Sequence, residues 1–351
     1  MIIPKDGVLS TAVCQVKPFE GFAPTLLAPK SQALAITLFD QNDDGRPDIA
    51  IGNDFATPDM YWQQRGNGWA AAEPFRATSH STMGFDQGDI DNQGHDALFA
   101  SDMKPYDTSV ASLARWQPMM RAMWSPPVPG DRQIVENVLQ VRGADGQLLN
   151  QAYDRGVDAT GWSWSGVFGD LDNDGWLDLY VVNGMIESEL FGYLPGGELV
   201  EQNQALRNDH TGRFVRTPAW GLGSTRSGRG MAMADLDGDG DLDIVVNNLS
   251  TPAQLFENQL CSGTSLEVEL RWPASMNTRA LGATLIVHTN AGDYQRSVRA
   301  SAGYLSGASA RQHFGLARGT LLRQLEIRWP DGAVSAIDSP EPATLLIVTR
   351  P

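Results

Sequence analysis

Four short segments gather oxygen-bearing side chains at a near-constant spacing: Asp40, Asn42, Asp44 and Asp48; Asp89, Asp91, Gln93 and Asp96; Asp170, Asp172, Asp174 and Asp178; Asp235, Asp237, Asp239 and Asp243. Each follows the pattern DxDxDGxxD or a close variant of it. Oxygens at the first, third, fifth and ninth positions, with the backbone carbonyl of the seventh, can wrap one hard cation, and Ca2+ is the natural fit. The carbonyl donors are those of Arg46, Trp176 and Asp241. Gly45, Gly94, Gly175 and Gly240 stand at the sixth position, where a sharp turn must bring the later ligands back toward the ion. The third and fourth sets are complete, and the first replaces one carboxylate with Asn42. The second has Gln93 at the fifth position and a shortened tail that puts Asp96 at the eighth, making it the weakest of the four. Aspartate and glycine favour turns on their own account, which explains one such loop but not three well-formed copies. The expectation is therefore up to four bound Ca2+ ions.

These loops are not EF-hands. An EF-hand needs a bidentate glutamate at its twelfth position, where this chain has Ile51, Ala100, Val181 and Val246. Each ladder runs straight into an apolar or alternating stretch, such as Ile49-Ala-Ile51 or Leu179-Tyr-Val-Val182, so the loop is expected to cap a β-hairpin. The first aspartates lie 49, 81 and 65 residues apart, too far for a two-helix repeat and suited to a four-stranded blade with insertions. Further segments recur after each strand, as in Ala205-Leu-Arg-Asn208 and Gln254-Leu-Phe-Glu-Asn258, and Gly-rich strands lead into the third and fourth ladders. Residues 1–38 read as extended. The arrangement predicted is an all-β fold, a β-propeller over residues 1–260 with loops at 40–48, 89–96, 170–178 and 235–243. Beyond a linker at 261–264, period-2 patterns predict a small β-sandwich or barrel over 261–351, with Trp272 and Trp329 as core.

The ladder-plus-strand repeats resemble FG-GAP or VCBS repeats. The C-terminal stretch is similar to the ASPIC/UnbV domain through Asn277-Thr-Arg279, Gln295-Arg296, Gly303-Tyr-Leu-Ser306, His313-Phe-Gly-Leu316 and Ile327-Arg-Trp-Pro330. Together they resemble the cartilage acidic protein family from about residue 33 to the end. The resemblance implies a secreted or periplasmic calcium-binding propeller joined to a β-domain, with recognition or adhesion as its role. Such propellers usually carry more blades than four, so a partial or small one is expected here.

Forty-two acidic against 26 basic residues give a net charge of −16, which repels nucleic acid and anionic lipid. No stretch approaches the roughly 18 apolar residues of a membrane span. The first residues lack a cationic segment followed by an apolar one, so no signal peptide is expected in this chain. Two cysteines, Cys14 and Cys261, exclude a disulfide scaffold, although they flank the repeats and would latch a closed ring if paired. Insertions at about 105–136 and 186–204 interrupt the blades; the first concentrates Trp116, Met119, Met120, Met123 and Trp124, residue types suited either to packing on the parent fold or to a partner interface.

No catalytic motif is present: Gly303-Tyr-Leu-Ser-Gly307 and the Gly161-Trp-Ser-Trp-Ser165 run both miss the spacing of a nucleophile elbow. The expected function is a non-catalytic, calcium-stabilised extracytoplasmic recognition, adhesion or assembly protein with a protein or glycan partner. An accessory subunit of a larger membrane or extracellular complex is one alternative. A carbohydrate-active enzyme using the propeller face is another.

Overall fold

Each ladder sits at the tip of an antiparallel hairpin, and the last pair of each hairpin brackets the loop: Phe39 with Asp48, Gly88 with Ala97, Gly169 with Asp178 and Ala234 with Asp243. The computed structural model describes residues 12–17, 21–55, 57–123, 130–260 and 262–350. The hairpins grow into successive antiparallel sheets. Ala33–Phe39, Asp48–Asn53, Met60–Arg65 and Gly68–Ala72 form the first blade. Gly84–Gly88, Ala97–Ser101, Val138–Arg142 and Leu148–Asn150 form the second. Gly161–Gly169, Asp178–Asn183, Gln204–Asn208 and Phe214–Arg216 form the third, with Met103–Lys104 added at its edge. Gly228–Ala234, Asp243–Asn248 and Gln254–Phe256 form the fourth.

The blades stack face to face, and a separate core fills each space between them. Phe39, Ala50 and Tyr61 meet Phe85, Leu98 and Val138; Phe99, Leu139 and Val141 meet Phe168, Leu179 and Leu206; Tyr180 and Val182 meet Met231, Ile244 and Val246. Blades covered on both faces have second strands buried throughout, whereas Asp243–Asn248 at the end of the arc alternates, with Val245 and Asn247 exposed. The first strands of the blades lie side by side, so the four sheets form an arc of propeller type. The close approach is tight enough to demand glycine: a Cβ at Gly166 would come 2.4 Å from the Phe99 ring.

The C-terminal domain is a sandwich. Arg311–Ala317, Gly263–Arg271 and Thr344–Thr349 make one sheet, while Asp293–Ser297, Thr284–Thr289, Leu322–Arg328 and Val334–Asp338 make the other. Leu266, Val268, Leu285, Phe314 and Ile327 fill the space between them. Trp329 is buried in that core; Trp272 is only partly buried and meets it edge-on at 6.0 Å. The period-2 stretches at 266–272, 281–289, 294–300, 324–329 and 344–348 correspond to five of these strands with slightly different ends, and none falls on Arg311–Ala317 or Val334–Asp338.

Two features were not legible beforehand. First, a hairpin of this second domain, Ser301–Ala302 with Ser306–Gly307, runs between the first strands of the arc. Gly303 N donates to Phe85 O at 2.7 Å, Tyr304 N to Ser165 Oγ at 3.1 Å, and Met231 N to Ser306 Oγ at 3.0 Å, tying it to the second, third and fourth blades. Second, the two insertions pack on each other. Helix Val110–Met123 buries Trp116 and Met119 against Trp162, Phe191 and Leu199, while Met120 and Met123 on the same helix stay exposed. Trp124 and the Cys14–Cys261 pairing lie outside the described side chains.

Candidate metal centres

In every loop the first aspartate folds the turn onto itself. Asp40, Asp89, Asp170 and Asp235 each accept the amide of the sixth-position glycine, at 2.7, 2.9, 2.8 and 3.0 Å. Folding of this kind brings the third and fifth positions toward the first. Carboxylate oxygens of Asp170, Asp172 and Asp174 lie within 4.8 Å of one another, as do those of Asp235, Asp237 and Asp239.

The ninth-position aspartates hold the loops to their blades. Asp48, Asp178 and Asp243 are buried, and each accepts one amide from its loop and one from the third strand or just beyond it: Gln41 and Gln64 at 3.1 and 2.8 Å, Leu171 and Asn208 at 2.9 and 2.9 Å, Leu236 and Asn258 at 3.0 and 2.8 Å. Each oxygen keeps a second lone pair for a cation. The third-strand position returns the tie across the blade boundary. Asn208 Nδ2 donates to Leu177 O at 3.0 Å in its own loop and to Ile90 O at 2.8 Å in the preceding one; Asn258 does the same with Leu242 O at 3.2 Å and Leu171 O at 2.7 Å. Arg142 takes that place in the second blade, reaching Asp40 O and Gln41 O.

A second link runs through the fourth position of the loops, which sequence reading overlooked. Asp43, Asn92 and Asn173 adopt left-handed backbone with φ of 59°, 52° and 52°, a conformation that Asn and Asp tolerate. Asn92 Nδ2 then reaches Gly175 O at 3.3 Å, Asn173 Nδ2 reaches Gly240 O at 3.2 Å, and Asp43 lies 3.5 Å from His95. The four loops are thus one connected row. At the opposite end of the blades, Asn53, Asp102, Asn183 and Asn248 all stand thirteen residues after the first aspartate and are buried. The first three fasten the blade to its lead-in, as where Asn53 Oδ1 accepts Ser31 Oγ at 2.8 Å.

The loops differ in charge and surroundings. In the third, burial and the charge of Asp174 push the Asp170 carboxyl up to about 7, and burial with neighbouring Asp170 and Asp172 raises Asp178. Arg207 meets Asp172 at 2.5 Å and Asp174 at 2.8 Å, and His210 meets Asp174 at 2.7 Å while stacking on Trp176. Asp172 Oδ1 nevertheless stays buried without a partner, as an oxygen aimed at a cation would. In the fourth loop, Asp235, Asp237 and Asp239 have no ion-pair partner among the described residues. Both sets fit a divalent cation: three convergent carboxylates repel one another until a positive charge sits between them. The first loop is more open; Asn42 Nδ2 donates to Asp44 at 3.1 Å and the Arg46 side chain holds Asp44 at 2.8 Å. In the second, Asp91 pairs with Arg155 at 3.2 Å and Asp96 accepts Ser297 Oγ at 2.7 Å, and no triplet forms.

The ladder row is also where the second domain docks. A Cβ at Gly175 would fall 2.5 Å from Tyr294, one at Gly240 would fall 2.6 Å from Ser265 Oγ, and one at Gly315 would fall 2.2 Å from Asp170. Residues 273–351, which hold most of this docking domain, match the ASPIC and UnbV family, and residues 195–246, which hold the fourth ladder, match the FG-GAP-like repeat. The chain joins an FG-GAP-like repeat to an ASPIC/UnbV domain. No curated protein matches it. Among solved structures, the V. cholerae biofilm matrix protein Bap1 is similar at 14% identity and a TM-score of 0.28, over 87% of this chain and 48% of that one. A putative 6-phosphogluconolactonase from Bacteroides fragilis is similar at 10% identity and a TM-score of 0.30, over 93% of this chain and 89% of that one. The chain spans about half the length of Bap1. The ASPIC/UnbV domain packs on the second, third and fourth ladders and sends its Gly303–Ser306 segment between the blades, so the two parts share one polar junction. No helix among the described residues is long and apolar enough to cross a membrane.

Proposed function

We propose that this chain is a non-catalytic, calcium-stabilised recognition or adhesion scaffold that works outside the cytoplasm. The observation that carries it is the pair of convergent carboxylate triplets, Asp170/Asp172/Asp174 and Asp235/Asp237/Asp239, in two loops on which the ASPIC/UnbV domain rests. Ions there would neutralise the repulsion within each loop and so stiffen the row, the blades behind it and the docked domain. Loops that bind calcium at about 10⁻⁴–10⁻³ M would fill where the ion is plentiful, outside cells, which supports that reading. The FG-GAP-like repeat and ASPIC/UnbV matches and the absence of a catalytic motif support a binding role, with a protein or glycan as partner. The Gly303–Ser306 segment fills the space between the first strands, which leaves the outer faces and the exposed Met120 and Met123 side of the insertion helix for a partner.

Thermal unfolding of EDTA-stripped protein titrated with Ca2+ and separately with Mg2+ tests this reading. A site filled at a hundredfold over its Kd adds about 2.7 kcal/mol. A selective rise in melting temperature, reduced in both Asp172→Ala and Asp237→Ala, is the expected result; no response to Ca2+ overturns it.

A further inference from the structure

We infer that the two end faces of the arc pack on each other between two copies of this chain, closing the four blades of each copy into one ring. The register of the blades carries it, whether or not the ladders take calcium. Within the arc, each blade presents a forward face to the next blade and a rear face to the one before. The tenth residue after each first aspartate points forward: Ala50, Phe99 and Tyr180 are fully buried there, whereas Val245 in the fourth blade is 37% exposed. The cross-strand neighbour on the third strand repeats the contrast. Tyr61, Leu139 and Ala205 pair with those three residues and are buried, while Leu255 pairs with Val245 and is 61% exposed.

The rear face breaks the pattern at the other end. Four residues before the first aspartate stand Phe85, Gly166 and Met231, all buried against the preceding blade, but Ile36 in the first blade is 57% exposed. Two residues before it, Gln87 and Phe168 are buried, whereas Leu38 is 52% exposed. Farther out on that face, Ile49, Ile51 and Trp62 pack under Leu27 and Ala28, so the open part is the first strand. Among the described residues, the arc thus ends in one unfilled forward face and one unfilled rear face, and both are apolar.

These faces are the two halves of an interface that the chain already makes at each of its own blade boundaries. Between the second and third blades, Phe99 meets Phe168 at 6.1 Å, and a Cβ on Gly166 would fall 2.4 Å from the Phe99 ring. A forward side chain at the tenth position therefore seats on the rear positions four and two residues before the next ladder. The same seating sets Val245 of one copy on Ile36 and Leu38 of the other, and Leu255, farther out, on the segment at 26–28. Because the chain holds both halves, a second copy fits better than an unrelated partner. A contact between two different faces either closes into a ring or grows without end. Propellers close with about four to eight blades, so two copies complete a ring and a third would exceed that range. In the closed pair the contact is made twice about a twofold axis, and no blade face is left open.

Sedimentation velocity of the full chain over a range of concentrations tests this, and a dimer is the expected species. Val245→Glu and Leu38→Lys each put an unpaired charge into both contacts and should weaken association by about a hundredfold or more. Their circular dichroism should stay unchanged, since both side chains are exposed in the single chain. Mixing the two variants should restore the dimer: one contact then sets the introduced carboxylate against the introduced ammonium, and the other is unaltered. A monomer at every concentration overturns the inference and leaves the end faces to blades of a different chain. A dimer that survives both substitutions, as one formed through Met120 and Met123 would, overturns it too. So do species that keep growing with concentration, or variants that stay monomeric when mixed.

Discussion

Asn208→Ala should cost about 3 kcal/mol of stability, and the structure supplies the reasons. Asn208 is fully buried. Its Nδ2 donates to Ile90 O at 2.8 Å and Leu177 O at 3.0 Å, and its Oδ1 accepts the amides of His210 and Gly212, both at 3.1 Å. His210 is at the surface, so water can replace its bond. The two loop carbonyls and the buried Gly212 amide have no such recourse, and a buried polar group left unpaired costs about 1–3 kcal/mol. Three of them give about 3–9 kcal/mol, with the low end more realistic because the loops can relax. About 3 kcal/mol is roughly a 150-fold change in the unfolding constant. Urea unfolding followed by circular dichroism, in EDTA and in Ca2+, measures it. Asn208→Asp keeps both acceptor contacts but turns an oxygen toward two carbonyls, so it should be at least as harmful as alanine. A loss under about 1 kcal/mol for alanine, or a neutral aspartate, would refute the reasoning that this amide staples the second loop to the third.

Two further outcomes are expected. Burial pushes the carboxyls of Asp59, Asp102 and Glu201 up to about 7 each, all at sites away from the ladders. Folded-state values above the unfolded ones mean that the folded protein holds extra protons between about pH 4 and 7, so this contribution is full below about pH 4 and is lost as pH rises through 7. Urea midpoints of Ca2+-saturated protein against pH should carry this downward component, and Glu201→Gln should shrink it. Gly303 has φ of +55°, and a Cβ there would fall 1.8 Å from Ser165 Oγ. Gly303→Ala should therefore loosen the hairpin between the blades and raise the rate of protease cleavage near residues 260–264; an unchanged rate would show that the hairpin does not hold the domains together.

The ladders were legible because a cation loop writes its ligands at fixed local spacing, and the turn glycines and following strands are written beside them. Asp170 to Asp178 and Asp235 to Asp243 could be read without any tertiary information. Other parts of the site had a signal that went unread. Asn53, Asp102, Asn183 and Asn248 recur in phase with the ladders, as do Asn208 and Asn258 at the third strand, and a periodic polar residue that ends buried is a staple. The left-handed residues Asp43, Asn92 and Asn173 carry the weaker signal of Asn and Asp in a turn. The strand Arg311–Ala317 turns only Phe314 and Leu316 to the sandwich core, too short an alternation to stand out, and its other face carries His313 and Gly315, which serve the junction. His313 Nε2 donates to Gly240 O at 3.0 Å, and Gly315 makes room for Asp170.

By itself the sequence determined the repeat, the all-β class, the order of the two domains and the loops able to hold a cation. All of these depend on neighbours within a dozen residues or on a regular period. Tertiary structure alone decided which carboxylates converge, which are claimed by Arg155, Arg207 or Ser297, and that the ladder row doubles as the seat of the second domain. Those outcomes depend on charges and surfaces up to some two hundred residues apart in the chain, as Asp96 and Ser297 are. The energy that settles them arises only when folding removes water from between the groups.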